Sequence, residues 1–459
     1  MINSIYDKIW EYSPEITKPA VYLQLQGLTK QLINLYNYDG RLEENPFTPT
    51  TRRTLNLPQV QLEYMLKNKT CIVTGGLGCV GSCLVNKLLE LEVGQVIILD
   101  KRPYTGITSI NKNKIVYIEA DIRDLPTLEA VFEAYQPEFV FHTAAQRDPG
   151  YAEYNVVETV STNVIGTLNV VKTCEKSPSV KQCVFSSTGK SSRYYTNEVY
   201  SATKKMCEYI FDTYAKKSHV TYSMVRFTHI LENSLMDMHL KNLWNANFLG
   251  IHSPGKYVTA QNVVEAADLL LNALIHSEQH QCNFLIVRNL EWPVESLEVA
   301  LYYVKQSGRD IPIIFNGNPI GYTEKFFRGQ LNWAKPQELN LLINVYENRY
   351  LSYNDAGDII ISQISSTESA VLEQALYELQ KVEGELPTKE CLLMGLKNVV
   401  RASLVHVDRE DTLNILKWGL QPEYLFSQGT TMVDYGPTVP LLMDSLNDLN
   451  VSYSLASTF

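Results

Sequence analysis

The sequence predicts an α/β chain built on a doubly wound parallel sheet, and three observations carry that expectation. A short apolar strand, Cys71-Ile72-Val73, runs into the glycine turn Thr74-Gly75-x-x-Gly78-x-x-Gly81 and a helical pattern through Val80, Leu84, Leu88 and Leu91. Strands and helices then alternate from residue 68 to about 218. The second strand, Val96-Ile97-Ile98-Leu99, is a continuous apolar run that ends in an acid, Asp100.

Taken in order, a third strand covers Ile115 to Glu119 and ends in Asp121-Ile122-Arg123-Asp124. A helix fits Leu125 to Tyr135, and Phe139-Val140-Phe141-His142 makes the fourth strand. A long helix fits Val156 to Glu175, and Gln182 to Phe185 is the fifth strand. Right-handed crossovers between such units give the parallel sheet. Residues 219–345 mix short strands with helices and form the substrate-binding cap. Residues 1–67 form an N-terminal arm, helical over Val21 to Tyr38 and extended over 39–58. The arm either wraps a neighbour or packs on its own chain. Residues 346–459 form a small C-terminal α+β addition with a strand near 358–364 and helices after it; its role is unassigned.

The bulk properties narrow the function classes. The chain has 459 residues, 45% of them hydrophobic, enough for a large core. A net charge of −10 argues against nucleic acid or an anionic membrane as main partner. Eight cysteines lie scattered without CxxC spacing, so reduced thiols in a cytoplasmic protein are expected, with no metal site. No apolar run reaches the ~18 residues of a membrane span.

The glycine turn is the part of the sequence most specific to a ligand. Gly75 would allow the tight turn, Gly78 a close approach to phosphate, and Gly81 close packing of helix on sheet. Backbone N–H groups around Cys79 and Val80, with the helix dipole, would hold a pyrophosphate. Asp100, 19 residues after Gly81, suits ribose hydroxyls and favours NAD. Lys101 and Arg102 could instead take the 2′-phosphate of NADP.

Tyr200-Ser201-Ala202-Thr203-Lys204 has YxxxK spacing, which puts phenol and ammonium on one helix face. The ammonium would lower the phenol pKa, leaving Tyr200 a general base or acid near neutral pH. His142 ends a strand and is expected to be structural.

Glycine turn, Asp121-Ile122-Arg123-Asp124, His142-Thr143-Ala144-Ala145, Thr162-Asn163-Val164-Ile165-Gly166-Thr167, Ser187-Thr188-Gly189-Lys190 and Tyr200-x3-Lys204 together resemble a known family. It is the CapD-type polysaccharide-biosynthesis family of extended short-chain dehydrogenases/reductases, with a Rossmann fold. Its members include UDP-N-acetylglucosamine 4,6-dehydratases and 5-epimerases. The resemblance spans roughly 68–345. It implies that Asp121 and Ile122 flank the adenine and that Ala144 and Ala145 line the cofactor pocket. It implies that Asn163 supports the catalytic helix, Thr188 binds the reacting hydroxyl and Tyr200 takes its proton. Lys204 would hold the nicotinamide ribose. Arg147 would suit a diphosphate, or is a surface arginine. His229 and Lys256 fall where substrate contacts are expected.

The departures bear on the reaction. The family's dehydratases carry Ser-Thr-Asp-Lys where this chain has Ser187-Thr188-Gly189-Lys190. Lys190, the base, stays; the acid that helps expel a hydroxyl is gone. Such acid help contributes ~10²–10⁴-fold in rate, so a dehydratase would need a substitute, for which Glu198 is a candidate. Thr228-His229-Ile230-Leu231 and Lys256-Tyr257 also depart from the pattern. The expected function is an NAD-dependent enzyme that oxidises a nucleotide-sugar hydroxyl. The alternatives are a ketoreductase or alcohol dehydrogenase on a non-sugar metabolite, and a non-catalytic scaffold, against which Thr188, Tyr200 and Lys204 argue. A homodimer through the helices Val156–Glu175 and Tyr200–Ala215 is expected.

Overall fold

The structure, a computed structural model, describes residues 2–104, 112–233, 243–290, 293–325, 327, 342–427 and 429–447. The chain forms two compact units, each assembled from separate stretches. The smaller takes 1–55, 228–266 and 289–323; the larger takes 56–227, 267–288 and 324–459.

The larger unit is built on one nine-stranded sheet. Its strands are β1 Thr70–Thr74, β2 Gln95–Asp100, β3 Ile115–Glu119, β4 Phe139–His142, β5 Gln182–Thr188 and β6 Thr221–Phe227. They continue with β7 Asn283–Val287, β8 Ser352–Tyr353 and β9 Ile359–Gln363. The order is β8-β9-β7-β6-β5-β4-β1-β2-β3. Every pairing from β7 to β3 is parallel. β1 lies between β4 and β2, so the strand order reverses there, the place where open α/β sheets bind ligands. Cys71, Ile72 and Val73 are wholly buried, as a strand covered on both faces requires.

Local signals set the connections near this point. Asp124 accepts from Thr127 N–H and starts the helix Leu125–Tyr135. Asp148 does the same for Pro149–Tyr154, a short helix absent from the sequence expectation, through Gly150 and Tyr151 N–H. The single helix expected over 156–175 is instead interrupted. Val156–Val160 passes through a π turn at Ser161–Ile165 into Gly166–Lys176. Such widened turns collect at functional sites, and this one carries Asn163.

The C-terminal residues are part of the main sheet. β9 pairs antiparallel with β7, and β8 with β9. The helix Glu385–Leu404 packs on Val156–Val160 and Val199–Ala215. Tyr209 Oη meets Ser403 Oγ at 3.1 Å, Tyr195 Oη donates to Leu393 O at 3.1 Å, and Lys389 pairs with Glu153 at 2.6 Å. Part of the surface on which a two-fold dimer was expected is thus covered by the chain's own helix. Periodicity shows that a helix has an apolar face, and not what covers it.

In the smaller unit, residues 2–55 are packed into a shared core. The helices Ile2–Tyr12 and Pro19–Tyr38 bury Ile5, Ile9, Leu25 and Leu32 with Leu297, Leu301 and Ile313. Arg41 pairs with Glu295 at 2.6 Å and Arg53 with Glu265 at 2.5 Å. The stretch expected to be extended contains a short helix, Thr48–Arg52.

Candidate active site

The turn after β1 closes on itself through its backbone. Gly75 has φ +70° and donates its N–H to Leu99 O at 2.7 Å. A Cβ there would lie 2.8 Å from both N and Cα of Ala144. A Cβ on Gly81 would run into the Gly75 carbonyl and lie 2.9 Å from Gly76 Cα. Gly78 caps the helix Cys79–Glu90, whose first N–H groups face the turn's end of the sheet. Thr74 Oγ1 meets His142 Nδ1 at 2.8 Å, and His142 Nε2 meets Thr167 Oγ1 at 2.9 Å. Burial, with the nearby Lys204 charge, pushes His142 down to about 3, so it is a neutral structural ring.

Asp100 is buried and braces the same turn. It accepts from Leu77 N–H at 3.0 Å and from Arg102 N, Nε and Nη2, each at 3.1 Å. Burial opposes its charge, but these donors outweigh burial and hold the carboxyl below its ordinary value. Arg102 is thus committed to Asp100. Lys101 lies exposed, 3.4 Å from Glu158. Asp121 pairs with Arg123 at 2.6 Å, and Ile122 is buried where a Cβ on Gly166 would meet its side chain at 2.6 Å. Ala144 and Ala145 are half-buried in the loop after β4.

Asn163 fastens that loop to the next helix. It accepts from Gln146 N at 2.8 Å and donates to Gln146 O and Thr203 Oγ1, both at 3.0 Å. Its amide thus ties the loop after β4 to the helix that carries Tyr200.

β5 ends at Thr188, and the helix Val199–Ala215 presents Tyr200 to it. The Thr188 hydroxyl lies beside the Tyr200 phenol, and both residues are partly exposed. The phenol is pushed up to about 12 by burial, against the influence of Thr188 and the Arg147 charge. The expected pull from Lys204 is not among its main influences. Lys204 donates instead to Ser186 O at 2.9 Å and lies 4.7 Å over the Phe185 ring. Burial pushes this lysine down to about 8. Arg147 is exposed on the loop after β4, close enough for its charge to stabilise a Tyr200 phenolate.

Lys190 donates its N–H to Thr188 Oγ1 at 3.4 Å and its ammonium to Glu198 at 3.2 Å. The space a side chain at Gly189 would need is filled by Leu342. The acid's position is therefore occupied as well as vacated. His229 and Lys256 belong to the smaller unit. His229 pairs with Ala260 in a two-residue parallel bridge, its Nε2 has no hydrogen-bond partner, and burial lowers its pKa. Lys256 offers its carbonyl to Ser296 N–H at 2.8 Å beside the Gly255 turn.

Sequence reasoning missed a buried network behind β5. Arg226, fully buried, pairs with Glu208 at 2.8 Å and with Glu347 at 2.7 Å. Glu208 also accepts from Ser187 Oγ at 2.6 Å, one residue before Thr188. The available signal was a charge inside the apolar strand Met224-Val225-Arg226-Phe227, which obliges a buried partner. Among the described residues there is no cluster fit for a metal and no helix long and apolar enough to cross a membrane.

Comparison with known proteins agrees with this architecture. The family model described as polysaccharide biosynthesis protein matches residues 71–322, more than half of the chain. Capsular polysaccharide biosynthesis protein CapD of Staphylococcus aureus is 24% identical over 330 residues, 65% of this chain and 54% of that protein. A UDP-N-acetylglucosamine 4,6-dehydratase (inverting) of Campylobacter jejuni is 30% identical over 174 residues, 36% of this chain and 51% of that one. The chain spans about half the length of these curated relatives. The solved structure of Pen from Bacillus thuringiensis superposes with a TM-score of 0.55 at 20% identity, over 66% of this chain and 89% of that one. Glycine turn, reversed strand order and Tyr-x3-Lys helix all fall in the stretch the family model covers, and the chain belongs to the polysaccharide biosynthesis protein family of extended short-chain dehydrogenases/reductases.

Proposed function

We propose that this chain is an NAD-dependent enzyme that oxidises a hydroxyl of a UDP-sugar by hydride transfer, as a step in epimerase- or dehydratase-like chemistry. The observation that carries the reading is the Thr188–Tyr200 hydroxyl pair at the end of β5, in the same sheet as the glycine turn. The turn fits a dinucleotide because the volume a Cβ would take at Gly75 and Gly81 is already backbone. Gly75, Gly78, Gly81 and the N–H groups of Cys79 and Val80 would hold the pyrophosphate. Asp100 would accept the ribose hydroxyls, and its buried carboxylate disfavours the 2′-phosphate of NADP. Bound NAD supplies the hydride acceptor.

The residues of the chain then divide the proton work. Tyr200, beside Thr188, takes the proton of the reacting hydroxyl. A phenol pushed up to about 12 is a weak base precursor until something stabilises its anion. The Arg147 charge favours that anion, and Arg147 also suits a diphosphate through paired donors. Relatives described as acting on UDP-N-acetylglucosamine support the sugar-nucleotide class.

Purified protein should carry NAD through gel filtration, and Tyr200→Phe should lower turnover of a UDP-sugar by at least about a hundredfold. Protein that emerges empty and oxidises NAD(P)H with a simple carbonyl compound, or a fully active Tyr200→Phe, would overturn the proposal.

A further inference from the structure

Residues 1–55 take no part in the hydride step, yet a chain of polar contacts runs from them to the turn that carries Lys256. Arg41 follows the helix Pro19–Tyr38 and lays its guanidinium 4.0 Å over the Tyr36 ring. It donates to Glu298 through Nε at 2.9 Å and to Glu295 through Nη2 at 2.6 Å. Glu295 is 4% exposed. Its Oε2 also accepts from Tyr36 Oη at 3.0 Å, and its Oε1 accepts from Gly255 N–H at 2.8 Å. A buried carboxylate needs such donors, and Arg41 is the cation paired with it.

The turn is held along its backbone. Gly255 adopts φ +69°, and no described atom lies within 4 Å of where its Cβ would stand. Lys256 O accepts from Ser296 N–H at 2.8 Å, and Tyr257 pairs with Glu295 in a two-residue antiparallel bridge. His252 O accepts from Gly317 N–H at 2.9 Å. The half-buried Lys256 ammonium is held by none of this: among the described residues it has no carboxylate partner and no hydrogen-bond acceptor. Burial, with the Lys256 charge, keeps the His252 ring below its ordinary pKa and therefore neutral at pH 7. An ammonium with spare N–H groups, beside an open glycine backbone and a neutral imidazole, suits a phosphate group.

We propose that Arg41 is a positioning residue for the diphosphate of the nucleotide sugar: acting through Glu295, it fixes the turn at Gly255 so that the Lys256 ammonium meets a phosphate oxygen. This rests on the UDP-sugar reading above and gives a role to a stretch that precedes the family's matched residues, 71–322. Arg41 itself touches no ligand. Without it, the buried Glu295 keeps only neutral donors. The carboxylate then takes a proton or turns towards solvent, and Gly255 N–H loses its charged acceptor.

UDP is titrated into the purified protein by calorimetry. Lys256→Ala should weaken binding at least about tenfold, the worth of one charge-assisted bond. Arg41→Ala should weaken it severalfold, and Arg41→Lys, which keeps the charge and loses the fork, should recover part. The double variant should lose no more than Lys256→Ala alone, because Arg41 acts through Lys256. With UDP-N-acetylglucosamine, Arg41→Ala should raise KM at least about five times more than it lowers kcat. A second readout needs no ligand: hydrogen exchange at the Gly255 amide should quicken in Arg41→Ala. Undiminished UDP binding by either single variant, additive losses in the double variant, a fall in kcat matching the rise in KM, or unchanged exchange at Gly255 would overturn the inference. Wild-type protein that binds no UDP would instead overturn the UDP-sugar reading, taking this role of Arg41 with it.

Discussion

The turn after β1 and the turn after β5 both end a parallel strand of one sheet and both contain glycine, but the glycines answer different constraints. At Gly75 and Gly81 the missing side chain makes room for backbone: Ala144 N and Cα on one side, the Gly75 carbonyl and Gly76 Cα on the other. Backbone cannot step aside, so only glycine fits. At Gly189 the missing side chain makes room for the side chain of Leu342, 153 positions later in the chain. The first turn is specified locally. The second is specified by residues brought from far along the sequence: Leu342 at its tip, and Arg226, Glu208 and Glu347 behind it.

The largest expected effect would test the long-range support. Glu347→Ala removes one of the two carboxylates paired with the fully buried Arg226. Breaking a buried pair by removing one partner costs about 3–5 kcal/mol. The denaturant midpoint should drop accordingly, and a loss under about 1 kcal/mol would mean that the C-terminal residues do not support β5. The β1 turn comes next. Gly75→Ala combines a left-handed backbone with two contacts at 2.8 Å, together about 2–4 kcal/mol. Calorimetry should show the loss in stability, and NAD affinity should fall with it.

Gly189→Ala should cost less, at most about 1.5 kcal/mol, because Leu342 can change rotamer where backbone cannot. The same contrast decides what an acid would do there. Gly189→Asp alone should yield no dehydration, since Leu342 fills the space. Gly189→Asp with Leu342→Ala should release water from UDP-N-acetylglucosamine at a rate detectable by mass spectrometry. Dehydration by the single variant would show that Leu342 does not block the position.

This contrast also explains what could be read from the sequence. The sheet from β1 to β6, the glycine cradle and the Tyr200 helix were legible because their signals are local: apolar runs, glycine spacing, an i to i+4 pair. Past residue 218 the order along the chain does not show which stretches share a unit. Stretches 1–55, 228–266 and 289–323 share one unit, and residues 324–459 return to the larger one. No local pattern announces that β9 will pair with β7, or that Leu342 will reach Gly189. Asn163 was legible as a motif residue, but its partners, Gln146 and Thr203, required the fold. Tyr200 and Lys204 share a helix as expected, yet burial is the largest influence on the charge state of each, and Lys204 donates to the Ser186 carbonyl.

The smallest effect isolates the one charge that serves the local turn. Asp100 accepts from Leu77 N–H within the glycine turn and from Arg102 beside it. Its folded pKa lies below the ordinary value, so its contribution is present above the unfolded pKa of ~3.9 and is lost as pH falls through the folded value. Stability should therefore decline on acidification below about pH 4, and part of that decline should vanish in Asp100→Asn. At neutral pH the variant should lose about 1–2 kcal/mol, the worth of charge-assisted bonds partly open to solvent at Arg102. If Asp100→Asn were neutral in stability yet bound NAD more weakly, the carboxylate would serve the ligand and not the turn. If both fell together, the local turn would depend on one carboxylate as the β5 turn depends on Glu347.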